Sequence, residues 1–206
     1  MDKLVIQSTE LAQWHTLIHE AEDICHTQLG EELQSYLVFL LMRYTTQSEL
    51  ANAILALEYL NSWQSSGKVR EEQLRDVGDK CLLYSGLFPG YAQRRRVKIS
   101  YYVHLGISAY HSLANSLAGV KAKVFNKLSE QFVLLMDILH AVREVNTDEP
   151  TLQPLQAMEL WHDTGSTHAF FTLSRYTKAI PVKLPVTSAD YSLGIANRRD
   201  KRSSHH

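Results

Sequence analysis

Three consecutive arginines, Arg94, Arg95 and Arg96, are followed by Val97, Lys98 and then 22 residues, Ile99 to Val120, without one Asp, Glu, Lys or Arg. Guanidinium groups are planar forks that match carboxylate or phosphate oxygens two at a time, so the triplet is suited to holding an anion. Its place adds to this, because a helix start carries partial positive charge and disfavours cations unless an anion offsets them. Asp76 and Asp79, one helical turn apart, are the nearest carboxylates upstream, and no acid occurs from Lys80 through Ser129. The Gly86–Gly90 loop can fold the arginines back onto these two acids, and any arginine left over would mark an external anion site. The polar side of the charge-free segment, Tyr101, His104, Ser108, His111 and Asn115, completes the candidate site. Uncharged and aromatic-edged, it suits a lined pocket, a partner surface, or a cover formed by Phe170, Phe171, Leu173 and Tyr176.

Other residues have metal-ligand chemistry. His15, His19, Glu22 and His26 fall within roughly a 60° arc of one helix, and an i,i+4 His pair can bind a transition metal. Yet His15 and His26 stand about 16 Å apart along the axis, so one ion cannot take them all. The row borders an apolar stripe, which favours structural histidines. Asp137-Ile138-Leu139-His140 and Glu159-Leu160-Trp161-His162 both spell carboxylate-x-x-His, the pattern of di-iron sites in helical bundles. Register argues against such a site: with Val124, Leu128, Phe132, Leu135, Leu139 and Val142 as the core side, Asp137 falls nearly opposite. No metal and no cofactor is expected. A nucleophile elbow, a phosphate loop and a dinucleotide glycine pattern are absent.

Charge is segmented along the chain. Net charge is −1, but residues 1–93 hold 13 acids against 6 bases, and residues 165–206 hold seven bases against Asp190 and Asp200. Acidic and basic parts of one fold facing each other explain this without an external partner. The charge-free helix lacks Arg, Lys or Gln to read bases, which argues against sequence-specific nucleic-acid binding. Cys25 and Cys81 are too few for a disulfide framework and too far apart for a metal knuckle. Ile99–Val120 has transmembrane length but carries two His, four Ser and an Asn, which a lone lipid-exposed helix would not tolerate. The expected setting is the cytoplasm.

The elements that must position these residues are helical. Ser8 or Thr9 caps a helix to about Leu29, with Leu11, Trp14, Ile18, Ala21, Cys25 and Leu29 as its core stripe. Helices are expected over Glu31–Tyr44, from the Thr46-Gln47-Ser48-Glu49 capping box to Trp63, and over Val69–Ser85. The charge-free helix runs from Ser100 to Gly119 and buries Tyr102, Val103, Gly106, Ala109, Tyr110, Leu113 and Leu117. A helix over Val120–Val145 and a short one started by Pro154 follow.

The run Asp76-Val77-Gly78-Asp79, Leu83-Tyr84-Ser85-Gly86-Leu87-Phe88-Pro89, Arg94-Arg95-Arg96, Tyr101-Tyr102-Val103-His104-Leu105-Gly106 and Ala109-Tyr110 resembles a segment of uncharacterised bacterial all-helical proteins. It covers mainly residues 76–117 and implies a bacterial cytoplasmic helical protein, with no activity or site residue attached. The expectation is an all-α, single-domain bundle of six to seven helices over residues 1–165. An irregular segment, 166–197, would pack on it, and 198–206 would be a disordered basic tail. The favoured function is a non-enzymatic interaction or ligand-binding protein that recognises an anionic group and forms a homodimer. The alternatives are a metal-dependent enzyme with His and carboxylate ligands, and a nucleic-acid-associated factor.

Overall fold

The computed structural model describes residues 10–46, 54–145, 147 and 150–177, and its helices follow one another with short connections. They are α1 (Glu10–Ile24), α2 (Glu31–Thr46), α3 (Leu55–Ser62), α4 (Gly67–Gly86), α5 (Pro89–Arg94), α6 (Ile99–Ser116), α7 (Gly119–Glu130), α8 (Phe132–Glu144), α9 (Pro154–Thr164) and α10 (Thr167–Tyr176). The fold is all-α, with no strand among the described residues. No described helix is long and apolar enough to cross a membrane. Of the expected capping box at 46–49, Thr46 ends α2 and 47–49 lie outside the described residues, as does the tail at 198–206.

The charge-free helix α6 is the pivot of the bundle. It packs most extensively on α4 and α7, and also meets α5, α8 and α9. Tyr102, Val103, Gly106, Ala109, Tyr110 and Leu113 are buried as their spacing predicts, while Leu117 is half-buried. Gly106 is required by close approach, because a Cβ there would run into the Phe132 ring and come within 2.9 Å of Cys81 Cβ. Gly78 on α4 has the same role against the Tyr110 ring.

Several boundaries differ from expectation, each for a local reason. The first helix stops at Ile24 rather than Leu29, because His26 takes a left-handed φ of 50° and the Thr27 amide closes back on the Glu22 carbonyl at 3.0 Å. Glu22, buried at the end of that helix, then accepts the Leu29 amide at 2.7 Å and the Gln34 side chain at 3.3 Å, fastening α1 to α2. The Gly86–Gly90 stretch is not all loop: Pro89 occupies the first turn of α5, where its missing N–H costs nothing. The single helix expected over Val120–Val145 breaks at Gln131 into α7 and α8.

Beyond that break, α8 buries more than one stripe. Every residue from Leu135 through Val142 is buried, Asp137 and His140 included, so α8 is covered on all sides. Its neighbours are α1, α4, α6, α7 and α10. The placement of Asp137 on the solvent side is therefore corrected. The segment after 165 is corrected too. It opens with α10, capped by Ser166 Oγ accepting the Ala169 amide at 3.0 Å, and α10 packs on α8 and α9. A ten-residue helix with a buried apolar face and a Ser cap needs no long periodic pattern to form.

Candidate functional site

The structure does not bring the candidate residues into one site. Asp76 and Asp79 on α4 are held by Arg43 of α2, at 2.5 and 3.4 Å, and Arg75 lies 3.8 Å from Asp79. Asp79 is buried at 2% exposure and accepts the hydroxyls of Tyr36 at 2.5 Å and Tyr110 at 2.8 Å. Burial pushes its carboxyl above the usual range, opposed by the two phenol hydrogen bonds and the two guanidinium groups. The same burial, and the carboxylate beside them, hold both phenols well above ordinary tyrosine values, so they stay neutral donors. This network clamps α2, α4 and α6 together, and Asp79 is on the inner side of α6. Tyr101, His104, Ser108 and His111 are on the outer side and exposed, and Ser108 Oγ donates back to the His104 carbonyl at 2.9 Å. The described part of the C-terminal segment does not cover them; α10 sits on α8 and α9.

Arg94, Arg95 and Arg96 form no ion pair with Asp76 or Asp79. Arg94 and Arg95 place their guanidinium carbons 5.8 and 5.4 Å from the centre of the Tyr91 ring, and Arg95 also donates to the Tyr91 hydroxyl at 3.0 Å. Tyr91 in turn stacks on Tyr84 at 4.3 Å, nearly parallel. Arg96 ends α5 in a left-handed conformation, φ 56°, with the Val97 amide closing on the Ala92 carbonyl at 3.0 Å. It lines a cleft of about 330 Å³ between the α5–α6 turn and α9, together with Gln93, Ser100 and Gln156. Glu159 also lines this cleft, but Lys98 Nζ stands 3.7 Å from it. Asp163 takes the first turn of α6 in hand, accepting Ser100 Oγ at 2.8 Å with Lys98 at 3.5 Å. That contact offsets the positive end of α6, the role expected of a carboxylate there.

A second cluster forms around Asp137 and His140, the motif that register set aside as a metal site. Asp137 accepts Ser166 Oγ at 2.5 Å and the amides of Thr167 at 2.9 Å and His168 at 3.2 Å, so it acts as a cap on α10 from another helix. His140 and Glu144 share its face at i+3 and i+7. His168 Nε2 lies 3.4 Å from Glu144, and its ring stacks on His140 at 5.3 Å and 7°. His140 is fully buried and neither ring nitrogen has a partner. Burial and the neighbouring His168 drive its pKa down to about 3, so it is neutral. The Glu144 carboxyl is lowered as well, to about 2: the burial that would raise it is outweighed by the His168 contact and the Thr151 amide, which it accepts at 2.5 Å. The spacing Asp137, His140, Glu144 was visible in the chain. What hid it was the cover: Phe132, Leu135, Leu139 and Val142 leave Asp137 on the far side of α8, and that side is closed by α10, which was not foreseen.

Asp137, Glu144 and His168 line a pocket of about 490 Å³ with Cys25 and Arg175. Cys25 is no nucleophile there, because burial and the two carboxylates push its thiol up to about 12. The other carboxylate-x-x-His motif is on α9, where Glu159 faces Lys98 and His162 faces Asp163 at 3.2 Å. In the α1 row, His19 lies 3.3 Å from Glu22, whose oxygens are already committed to the α1–α2 turn. No group of three or more His, Cys, Asp or Glu side chains among the described residues is placed to hold a metal. No protein-family model matches the chain, and no curated protein or solved structure shows significant similarity to it.

Proposed function

We propose that the protein is a non-enzymatic binder of a small anionic ligand, held at the cleft between the α5–α6 turn and α9. The observation that carries this is Arg96, which lines that cleft and has no carboxylate partner among the described residues. Its two neighbours, Arg94 and Arg95, add positive potential from the faces of Tyr91. The carboxylates assigned to neutralise the triplet are taken by Arg43 and Arg75, which supports the case of arginines left over. Gln93, Ser100 and Gln156 supply neutral polar atoms around a bound carboxylate or phosphate. Inorganic phosphate and pyrophosphate are the first probes. Calorimetric titration should give saturable binding that Arg96→Gln weakens about tenfold with no change in melting temperature. Equal binding by Arg96→Gln and wild type would remove the assignment, and a steep salt dependence with duplex DNA would favour the nucleic-acid alternative.

The exposed face of α6 supports a second element of the reading, self-association as a two-fold dimer. Tyr101, His104, Ser108 and His111 are exposed without a charge among them. Tyr59 Oη and Ser112 Oγ, 3.2 Å apart, set α3 beside this face. Leu57, Leu60 and Trp63, on α3 and its C-terminal cap, are exposed as well and add apolar surface. Sedimentation at micromolar concentration should show a dimer that Leu60→Glu dissociates. A 23.5 kDa species throughout the range would overturn it.

A further inference from the structure

We propose that the pocket between α1, α8 and α10 is a binding site for a small organic cation, a protonated amine on an apolar body. The cavity, about 490 Å³, falls in the range of sites that enclose small molecules. Its wall has two unlike halves. Ile24, Leu134 and Phe171 give an apolar lip, with Ile24 and Phe171 both about half exposed. Asp137 and Glu144 give an anionic interior, 3% and 12% exposed at the side chain or residue level.

The case for a cation rests on how those carboxylates are satisfied. Asp137 is met by a hydroxyl and two backbone amides, which stabilise its charge against the burial that raises its carboxyl. Glu144 is met by a backbone amide and by the His168 ring. Cys25, whose thiol donates to the Asp137 carbonyl at 3.7 Å, lies in the resulting field: after burial, the charges of Asp137 and Glu144 are what raise its thiol. Arg175 is a formal cation on the lining, in the last turn of α10, and the carboxylates are at the opposite end of that helix, around its start. An ammonium group therefore finds its attraction at the carboxylate end of the pocket, the end farthest from Arg175 along α10. Behind His168 stands His140, with two unpartnered ring nitrogens at no exposure, so the wall beside the anionic end has unmet polar capacity as well.

The test uses the whole chain and three probes of one length: n-hexylamine, n-hexanol and hexanoate. Calorimetry and amide NMR at neutral pH should show saturable binding of the amine, with shifts at Thr167, His168 and Thr172. Glu144→Gln should weaken it about tenfold and Phe171→Ala about fivefold, while Glu130→Gln on α7 leaves it unchanged. Arg96→Gln should also leave it unchanged, which separates this site from the anion cleft. If Glu144→Gln fails to fold, Phe171→Ala and the order of the three probes decide. Equal or tighter binding of hexanol or hexanoate, retention of amine affinity in both pocket variants, or no saturation by the amine at millimolar concentration would each overturn the proposal.

Discussion

Asp79 and Asp137 are both nearly inaccessible to water, on helices that run through the core; Asp79 takes its donors from two other helices, and Asp137 from the single stretch Ser166–His168. Asp79 is met by two phenols and approached by two guanidinium groups, so formal positive charge stands against its negative charge. Asp137 is met by a serine hydroxyl and the first amides of α10, so partial charges of backbone dipoles take that part. The first solution ties together helices that apolar packing also holds, with Tyr36, Tyr110, Phe125 and Phe132 in mutual ring contact. The second fastens a short helix whose remaining grip is a few apolar residues such as Ala169 and Leu173. A buried charge reinforces one region and specifies the other.

That contrast sets an order of effects. Asp137→Ala should be the costliest change, about 4 kcal/mol, since three donors lose their acceptor together in a dry site. Chemical denaturation measures the loss, and hydrogen exchange should show α10 amides opening first. Asp79→Ala should cost less, about 2 kcal/mol, because Arg43 keeps Asp76 and both guanidinium groups reach water. If Asp79→Ala proves the worse of the two, the comparison is reversed.

Acid sensitivity falls between these two effects in size. His140 binds its proton near pH 3 in the fold and near 6.5 in the unfolded chain, so the unfolded state takes up protons first as pH falls. Its contribution to stability is full above pH 6.5 and declines as pH drops towards 3. Glu144 acts in a lower window, from about 4.5 down to about 2, so measurements between pH 6.5 and 4.5 separate the two. Over that interval wild type should lose about 2.5 kcal/mol more than His140→Phe. Parallel pH profiles would mean that His140 is not held neutral.

Smaller effects probe the Asp79 side. Gly78→Ala should cost about 2 kcal/mol, as its methyl group would displace the Tyr110 ring from its hydrogen bond. Tyr110→Phe keeps the ring and loses only the hydroxyl, for about 1 kcal/mol. Additive losses in the double variant would show that the ring position and the hydrogen bond act separately.

The parts legible in the sequence are those where one helix decides its own neighbours. The stripe of α6 from Tyr102 to Leu113 is buried as read, because a segment without charges has to be enclosed and its small residues mark where. The all-α class follows from the same periodicity. Pairings between helices were not legible. Asp76 and Asp79 look nearer in sequence to Arg94–Arg96, yet Arg43, 33 and 36 positions upstream of them, holds both. Nearness along the chain is a weak guide once helices cross. Asp137 was misplaced because a carboxylate in an apolar run reads as a solvated flank unless its cap partner is known. That partner, Ser166, caps a helix of only ten residues, clearly amphipathic but short, ahead of a stretch interrupted by Pro181 and Pro185.

Arg96 has one more consequence, for how substitutions at that position would be tolerated. Its left-handed backbone is where glycine or asparagine is easiest and a long side chain is strained by about 1 kcal/mol. Selection for folding alone would therefore rank Gly above Arg at position 96, and selection for anion capture would rank them the other way. A library scored separately for abundance and for ligand retention should show the two rankings crossing at this residue and running together at neighbouring Val97, whose half-buried side chain packs on the core.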